Sequence, residues 1–210
     1  MKIVDLQTTV LFKPFKSVIN DAARAIPGRD VLFIELMTDS DITGIGFLTG
    51  LSVAHGSEIH IINEIVQKSL KPIVLGEDVF TMERLWSKMY QGTTRFGRKG
   101  AVVRALSGVD ICLWDAIGKF CNVPVSRLLG GYTDKVRVYA SGGFYNQKDD
   151  LEHLRDEVQK YVSGGFRSIK IKVGREFRQD IKRVEIARKT AGDEIDLLVD
   201  ANEAWDWPTA

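Results

Sequence analysis

The 210-residue sequence predicts an α+β domain over residues 1–131, a three-stranded antiparallel meander plus helices, followed over 132–210 by the first units of a (β/α) TIM-type barrel. Three observations carry this. Strands come first and helices second in the opening half, whereas from Lys135 onward strand and helix patterns alternate. The strand Ser168–Val173 is apolar on one parity and lysine on the other. The next strand ends on a carboxylate, and the strand ends are where a parallel α/β protein keeps its chemistry.

Taken in order, Val4, Leu6, Val10 and Phe12 alternate with Asp5, Gln7, Thr9 and Leu11, which reads as a strand. Lys13–Arg29 contains Pro14, Pro27 and Gly28 without clear periodicity and is expected to be a long loop. Val31–Thr38 is a second strand, Asp39-Ser40-Asp41 a turn, and Thr43–Thr49 a third strand containing Gly44 and Gly46. Those glycines lie inside a strand, and neither G-x-G-x-x-G nor GK[ST] occurs, so no nucleotide-phosphate loop is present.

Ile59, Ile62, Val66 and Leu70 then stripe a helix expected to stop before Pro72. Thr81 is the expected N-cap of a helix presenting Met82, Leu85, Trp86 and Met89. A long helix from about Gly100 to Phe120 carries Val102, Leu106, Val109, Leu113, Ile117 and Phe120 on one side, and Asn122 and Pro124 end it. Asp110 and Asp115 within it share no helix face well, so caps or ion pairs are expected there rather than a metal.

Val136–Ser141 begins the alternating half as a strand. Leu151, Leu154, Val158 and Tyr161 stripe a helix ending at Gly164-Gly165. After Ser168–Val173, the residues Phe177, Ile181, Val184, Ala187 and Ala191 stripe a second helix ending at Gly192. Ile195–Val199 is the third strand, and Trp207-Pro208 resembles the first turn of another helix. A complete barrel takes on the order of 250 residues, so the sequence is expected to be a piece of a protein nearer ~380 residues.

Composition bounds the partners. A chain 44% hydrophobic and 27% charged with net charge +1 has no general pull toward nucleic acid or anionic membranes. No apolar run approaches the ~20 residues of a membrane helix, and no secretory signal is visible, so a cytoplasmic location is expected. Cys112 and Cys121 fall on one helix about 13 Å of rise apart, on opposite faces, and are expected to be free thiols. His55, His60 and His153 have no metal-ligand spacing, and His153 sits in a polar face.

The chemistry gathers at the strand ends. In Ser168–Val173, Ile169, Ile171 and Val173 leave one face for the helices, while Lys170 and Lys172 leave the other. Asp200 and Asn202 stand at or just beyond the end of the following strand. A lone Lys-x-Lys is ordinarily a solvated strand face, and a lone Asp after a strand is ordinarily a cap. Both at strand ends, one βα unit apart, point to a site. The hydrogen alpha to a carboxylate is hard to remove because the resulting enediolate carries two negative charges. A divalent metal on oxygen ligands stabilises such charge, and a lysine in a cationic, partly desolvated place can act as the base.

The ordered set of segments resembles the mandelate racemase/muconate lactonizing group of the enolase superfamily, N-terminal part only, over essentially the whole chain. The opening meander and helices look like that family's capping domain. GRKGAVVRALSGVDICLWDAIGK, Gly97 to Lys119, is similar to its helix with the xDxALWD pattern, and NVPVSRLLGG, Asn122 to Gly131, to its link into the barrel. SIKIKVG and LLVDANEAW match its second and third barrel strands.

The resemblance implies that Lys172 is the base acting on the alpha hydrogen and that Lys170 holds the substrate carboxylate and depresses its neighbour's pKa, beside magnesium as in that superfamily. It implies Asp200 as the first of three acidic Mg2+ ligands, the rest lying on later strands, and Asn202 facing the substrate. Lid loops would fall in Lys13–Arg29 and near Gly50–Gly56. The implied activity is magnesium-dependent proton abstraction alpha to a carboxylate, leaning to dehydration of an acid sugar, with a racemase or epimerase as the alternative. The full-length form is expected to be a homo-oligomer, and the 210 residues alone to be inactive. The competing class is a non-enzymatic α/β module whose lysine pair grips an anion.

Overall fold

The alternation at the N-terminus resolves into a sheet of order β1-β2-β3, with β1 Ile3–Asn20, β2 Ala25–Thr38 and β3 Thr43–Ser52, in a computed structural model that describes residues 1–52, 57–146 and 148–209. β2 and β3 pair antiparallel from Gly28↔Ser52 to Met37↔Thr43. The expected loop at Lys13–Arg29 is instead mostly strand: β1 runs past Pro14, and β2 begins before Pro27. Proline lacks only its own N–H, so the extended backbone tolerates it wherever that donor is not needed for pairing. The turn between the strands is held by Asp21, whose Oδ1 accepts the Ala23 and Arg24 amides at 2.9 and 2.7 Å.

The expected helix stripe is real, with Ile59, Ile62, Val66 and Leu70 all buried, but the helix does not stop before Pro72. α1 (Ile59–Glu64) passes through a π-helical segment, Ile65–Leu70, into α2 (Lys71–Val74). Pro72 sits at the start of α2, where a missing N–H costs little. α3 (Met82–Thr93) starts after Thr81 as expected, although the Thr81 hydroxyl donates backward to the Asp78 carbonyl at 2.8 Å. α4 (Ala101–Cys121) buries Val102, Leu106, Val109, Leu113 and Ile117 and ends on left-handed Asn122, while Phe120 is exposed. A short α5 (Val125–Leu128) follows.

Gly44 explains why β3 can carry glycine. A Cβ built there would lie 2.0 Å from the Cys112 carbonyl oxygen, so α4 lies directly on the strand backbone. The two aspartates of α4 differ in their surroundings. Asp115 accepts the Ile45 amide at 2.7 Å and pairs with Lys119, whereas the Asp110 carboxyl is pushed upward by burial and by Glu83. Both cysteines are free, and burial pushes the Cys112 thiol up to about 12.

The second sheet is parallel, of order β4-β5-β6, with β4 Ala140–Ser141, β5 Ser168–Lys172 and β6 Asp196–Asp200. Only Ala140 and Ser141 of the expected strand Val136–Ser141 pair in it, and Val136 and Val138 are exposed. α6 (Asp150–Ser163) and α7 (Phe177–Ala191) cover one face, where Ile169 and Ile171 are buried with Leu154, Val158 and Ala187. The expected stripe of α7 is only half right. Ala187 and Ala191 are buried, but Phe177 and Ile181 are exposed, and the inward positions of the first turns belong to Asp180 and Arg183. Residues 207–209 form a turn rather than a helix.

The chain divides into two compact units, Met1–Pro14 with Gly28–Asp134, and Phe15–Pro27 with Lys135–Ala210. The tip of the first hairpin counts with the second unit. Among the described residues no helix is long and apolar enough to cross a membrane.

Candidate active site

Parallel pairing of β5 with β6 sets Lys172 directly beside Asp200, in the register Ser168↔Asp196, Ile169↔Leu197, Lys170↔Leu198, Ile171↔Val199 and Lys172↔Asp200. Strand parity does the rest. With Ile169 and Ile171 committed to the helix side, Lys170 and Lys172 leave the opposite face, as does the carboxylate. Lys172 Nζ donates to Asp200 Oδ2 at 2.9 Å, and Lys170 Nζ stands 3.1 Å from the same oxygen. Asp200 Oδ1 accepts the Asn202 amide at 2.9 Å. Lys170, Lys172, Asp200 and Asn202 therefore meet at one place.

The electrostatics follow from these contacts. The Lys172 hydrogen bond holds the Asp200 carboxyl well below the ordinary carboxylate range, against burial and with help from the Asn202 amide and Lys170. For Lys170, burial pulls downward, but hydrogen bonds to Asp200 and Tyr139 outweigh it and the net shift is upward, so this amine stays charged. Two aromatic rings line the lysines. Lys170 Nζ lies 5.1 Å from the Tyr139 ring centre, and Lys172 Nζ lies 5.1 Å from that of Phe144.

Asn202 takes a left-handed backbone at φ 49°, and its Oδ1 is buried with no hydrogen-bond partner. An orphaned buried acceptor is costly unless a donor such as a hydroxyl meets it. The tip of β6 is also tied to the first hairpin, because Arg24 pairs with Glu203. The other lid expected near Gly50–Gly56 includes residues 53–56, which lie outside the described set.

A magnesium ion asks for about six oxygen ligands in octahedral array. Asp200 offers one carboxylate, already engaged by two ammonium groups, and among the described residues no three His, Cys, Asp or Glu side chains cluster to hold a metal. These residues do not make a magnesium site by themselves.

Behind the lysines lies a second set of groups that sequence reading missed. Arg183 is fully buried on α7. Its Nε donates to the Lys172 carbonyl at 3.2 Å, and its other nitrogens pair with Asp150 and the Gly143 carbonyl. Tyr145 donates to Asp180 at 2.5 Å, and Asp180 accepts the Gly174 amide at 2.8 Å. The available signal was the charged pair Asp180 and Arg183, one helical turn apart and interleaved with the apolar stripe.

Comparison with known proteins identifies the family. The profile described as "Mandelate racemase / muconate lactonizing enzyme, N-terminal domain" matches residues 6–130. The chain belongs to the mandelate racemase/muconate lactonizing enzyme family. A second profile, "Enolase C-terminal domain-like", matches residues 153–210.

Among curated members of the family, the chain is 41% identical over 196 residues to arabinonate dehydratase of Saccharolobus solfataricus, covering 91% of this chain and 52% of that protein. Among solved structures, a racemase from Streptomyces coelicolor A3(2) with bound magnesium superposes with a TM-score of 0.89 at 31% identity, over 99% of this chain and 57% of that one. L-talarate/galactarate dehydratase from Salmonella typhimurium LT2, liganded with Mg and L-lyxarohydroxamate, gives 0.86 at 28% identity, over 98% and 53%. The chain spans about half the length of the curated relatives it matches. The expected fold class holds: a three-stranded antiparallel sheet with helices, then parallel strands alternating with helices, as in the N-terminal part of its enolase-superfamily relatives.

Proposed function

We propose that these residues form half of the active site of a lyase or isomerase that removes the hydrogen alpha to a carboxylate in a small acid, with dehydration of an acid sugar as the favoured outcome. The observation that carries this is the convergence of Lys170, Lys172 and Asp200 at the ends of adjacent parallel strands. The names of the relatives, arabinonate dehydratase first, support the substrate class.

Lys172 is the base. The alpha C–H bond breaks, its proton passes to the neutral Nζ, and the electron pair moves onto the carboxylate as an enediolate. Nζ is engaged by Asp200, so this step requires that bond to be released. Lys170 stays charged and holds the substrate carboxylate. Asn202 Oδ1, the unpartnered acceptor, takes a substrate hydroxyl. In dehydration the enediolate returns its electron pair through the alpha carbon to form a C=C bond and expel the beta-hydroxyl, which leaves as water on taking a proton from a general acid, and the resulting enol tautomerises to a 2-keto acid. Among the described residues Asp200 would be this chain's single ligand to a magnesium ion, which would supply charge stabilisation to the enediolate. The protein is read as cytoplasmic, in keeping with its two free thiols, and as a homo-oligomer in its full-length form.

A racemase or epimerase is the second reading, supported by the racemase among the solved relatives. The test is the full-length enzyme on a panel of acid sugars in magnesium buffer. 2-Keto products indicate dehydration, and deuterium uptake at the alpha carbon without net turnover indicates racemisation. Lys172→Ala is expected to abolish both, and a variant that retains either one removes Lys172 from the role of base.

A further inference from the structure

We propose that Arg183 is a positioning residue for Lys172, setting the base through its backbone; this rests on the reading of Lys172 as the base. Lys172 is the last residue of β5, the point where regular pairing gives way to the loop that follows. Its amide donates to the Gly143 carbonyl at 3.3 Å, and its own carbonyl accepts from Arg183 Nε at 3.2 Å. Arg183 also donates to that same Gly143 carbonyl, so one guanidinium joins the ends of β4 and β5. A third contact, to Asp150, ties it to the first turn of α6, and the Tyr145 ring stacks over it with its centre 4.2 Å from Cζ.

The next residues are gripped from the same helix. Asp180 accepts the Gly174 amide at 2.8 Å, and the Arg175 amide donates to the Tyr145 hydroxyl at 3.2 Å. With its amide and carbonyl both pinned, the direction in which the Lys172 side chain leaves the strand is fixed. A planar fork with fixed donor directions suits such a three-way contact, and lysine cannot reproduce it. A fully buried arginine is costly to keep, and here every nitrogen that reaches a partner reaches a strand end or a helix start.

Arg188 supplies the control. It lies on the same helix, and its Nη1 donates to the Gly192 and Ile195 carbonyls, both at 2.8 Å, away from Lys172. In the full-length enzyme, Arg183→Met is expected to lower kcat on the order of 100-fold with KM changed by less than about threefold, because a misplaced base affects chemistry more than binding. Arg188→Met is expected to cost stability without that drop. Where Arg183→Met does not fold, Arg183→Lys, which keeps a charge opposite Asp150, is expected to show the same split between kcat and KM.

In the 210-residue chain, amide hydrogen exchange at Lys172–Gly174 is expected to quicken by more than about tenfold in Arg183→Met and to stay unchanged in Arg188→Met. A kcat within about threefold of the parent, or an equal loss in Arg188→Met, overturns the proposal. Unchanged exchange overturns it too. Retained alpha-hydrogen exchange in Lys172→Ala instead overturns the base assignment, and the amide-exchange result on Arg183 still stands by itself.

Discussion

Replacing Asp200 by asparagine keeps the shape of the side chain and its acceptor for the Asn202 amide, and removes the one charge on which two lysines rest. At an effective dielectric near 20, an ion pair at about 3 Å has an attraction of about 5–6 kcal/mol before desolvation is subtracted. Breaking a buried pair by deleting one partner costs about 3–5 kcal/mol. Lys172 is close to that limit at 6% side-chain exposure, but Asp200 and Lys170 keep 26% and 21%, so solvent screening lowers the figure. We expect a loss of about 2–3 kcal/mol, which for a chain of this size is a fall in Tm of about 5–10 °C.

The pH dependence carries the sign. The Asp200 carboxyl is depressed in the folded protein, so its contribution is fully present above the ordinary carboxylate value of 3.8 and is lost as pH falls through the folded value. Calorimetry of the 210-residue chain should therefore show a Tm gap between parent and Asp200→Asn that is constant from about pH 5 to 8 and narrows below about pH 4. A gap under about 2 °C at neutral pH, or one that persists unchanged into acid, would refute the ion-pair geometry as a source of stability.

Two further substitutions test the scaffold. Gly44→Ala places a Cβ 2.0 Å from the Cys112 carbonyl oxygen, so α4 must lift from β3; a loss of about 3 kcal/mol or more is expected, against about 1 kcal/mol for Gly76→Ala, where φ is +78° but nothing lies within 4 Å. Equal urea midpoints for the two variants would contradict that close approach. Tyr145→Phe leaves Asp180 without its 2.5 Å donor, and a loss of about 1.5–3 kcal/mol in urea unfolding is expected, with a midpoint equal to the parent's counting against the network.

How far the sequence could be read depended on whether a signal was local. The alternation of Ile169, Lys170, Ile171 and Lys172 fixes which face each residue takes, so the pattern alone sets the two lysines on one face near the strand end that carries Asp200. Asn122 as a helix end and the apolar stripe of α4 were equally legible, because capping and periodicity involve only near neighbours. Arg183 was not. A charged residue on a helix is normally solvated, and its partners Gly143 and Asp150 are distant in sequence. Lys13–Arg29 misled for the opposite reason. Pro14 and Pro27 are local break signals that hydrogen bonding across the hairpin overrides.

The hairpin tip has a consequence for how this architecture can be recombined. Residues 15–27 pack with the βα segment that follows Lys135, through Asn20 bridged to Tyr145, Arg175 donating to the Asp21 carbonyl, and Arg24 paired with Glu203. The two modules are therefore interleaved rather than consecutive. A graft that exchanged everything after Asp134 for a homologous segment would keep a foreign hairpin tip on the new strands, so chimaeras should carry 15–27 along with the donor's βα half.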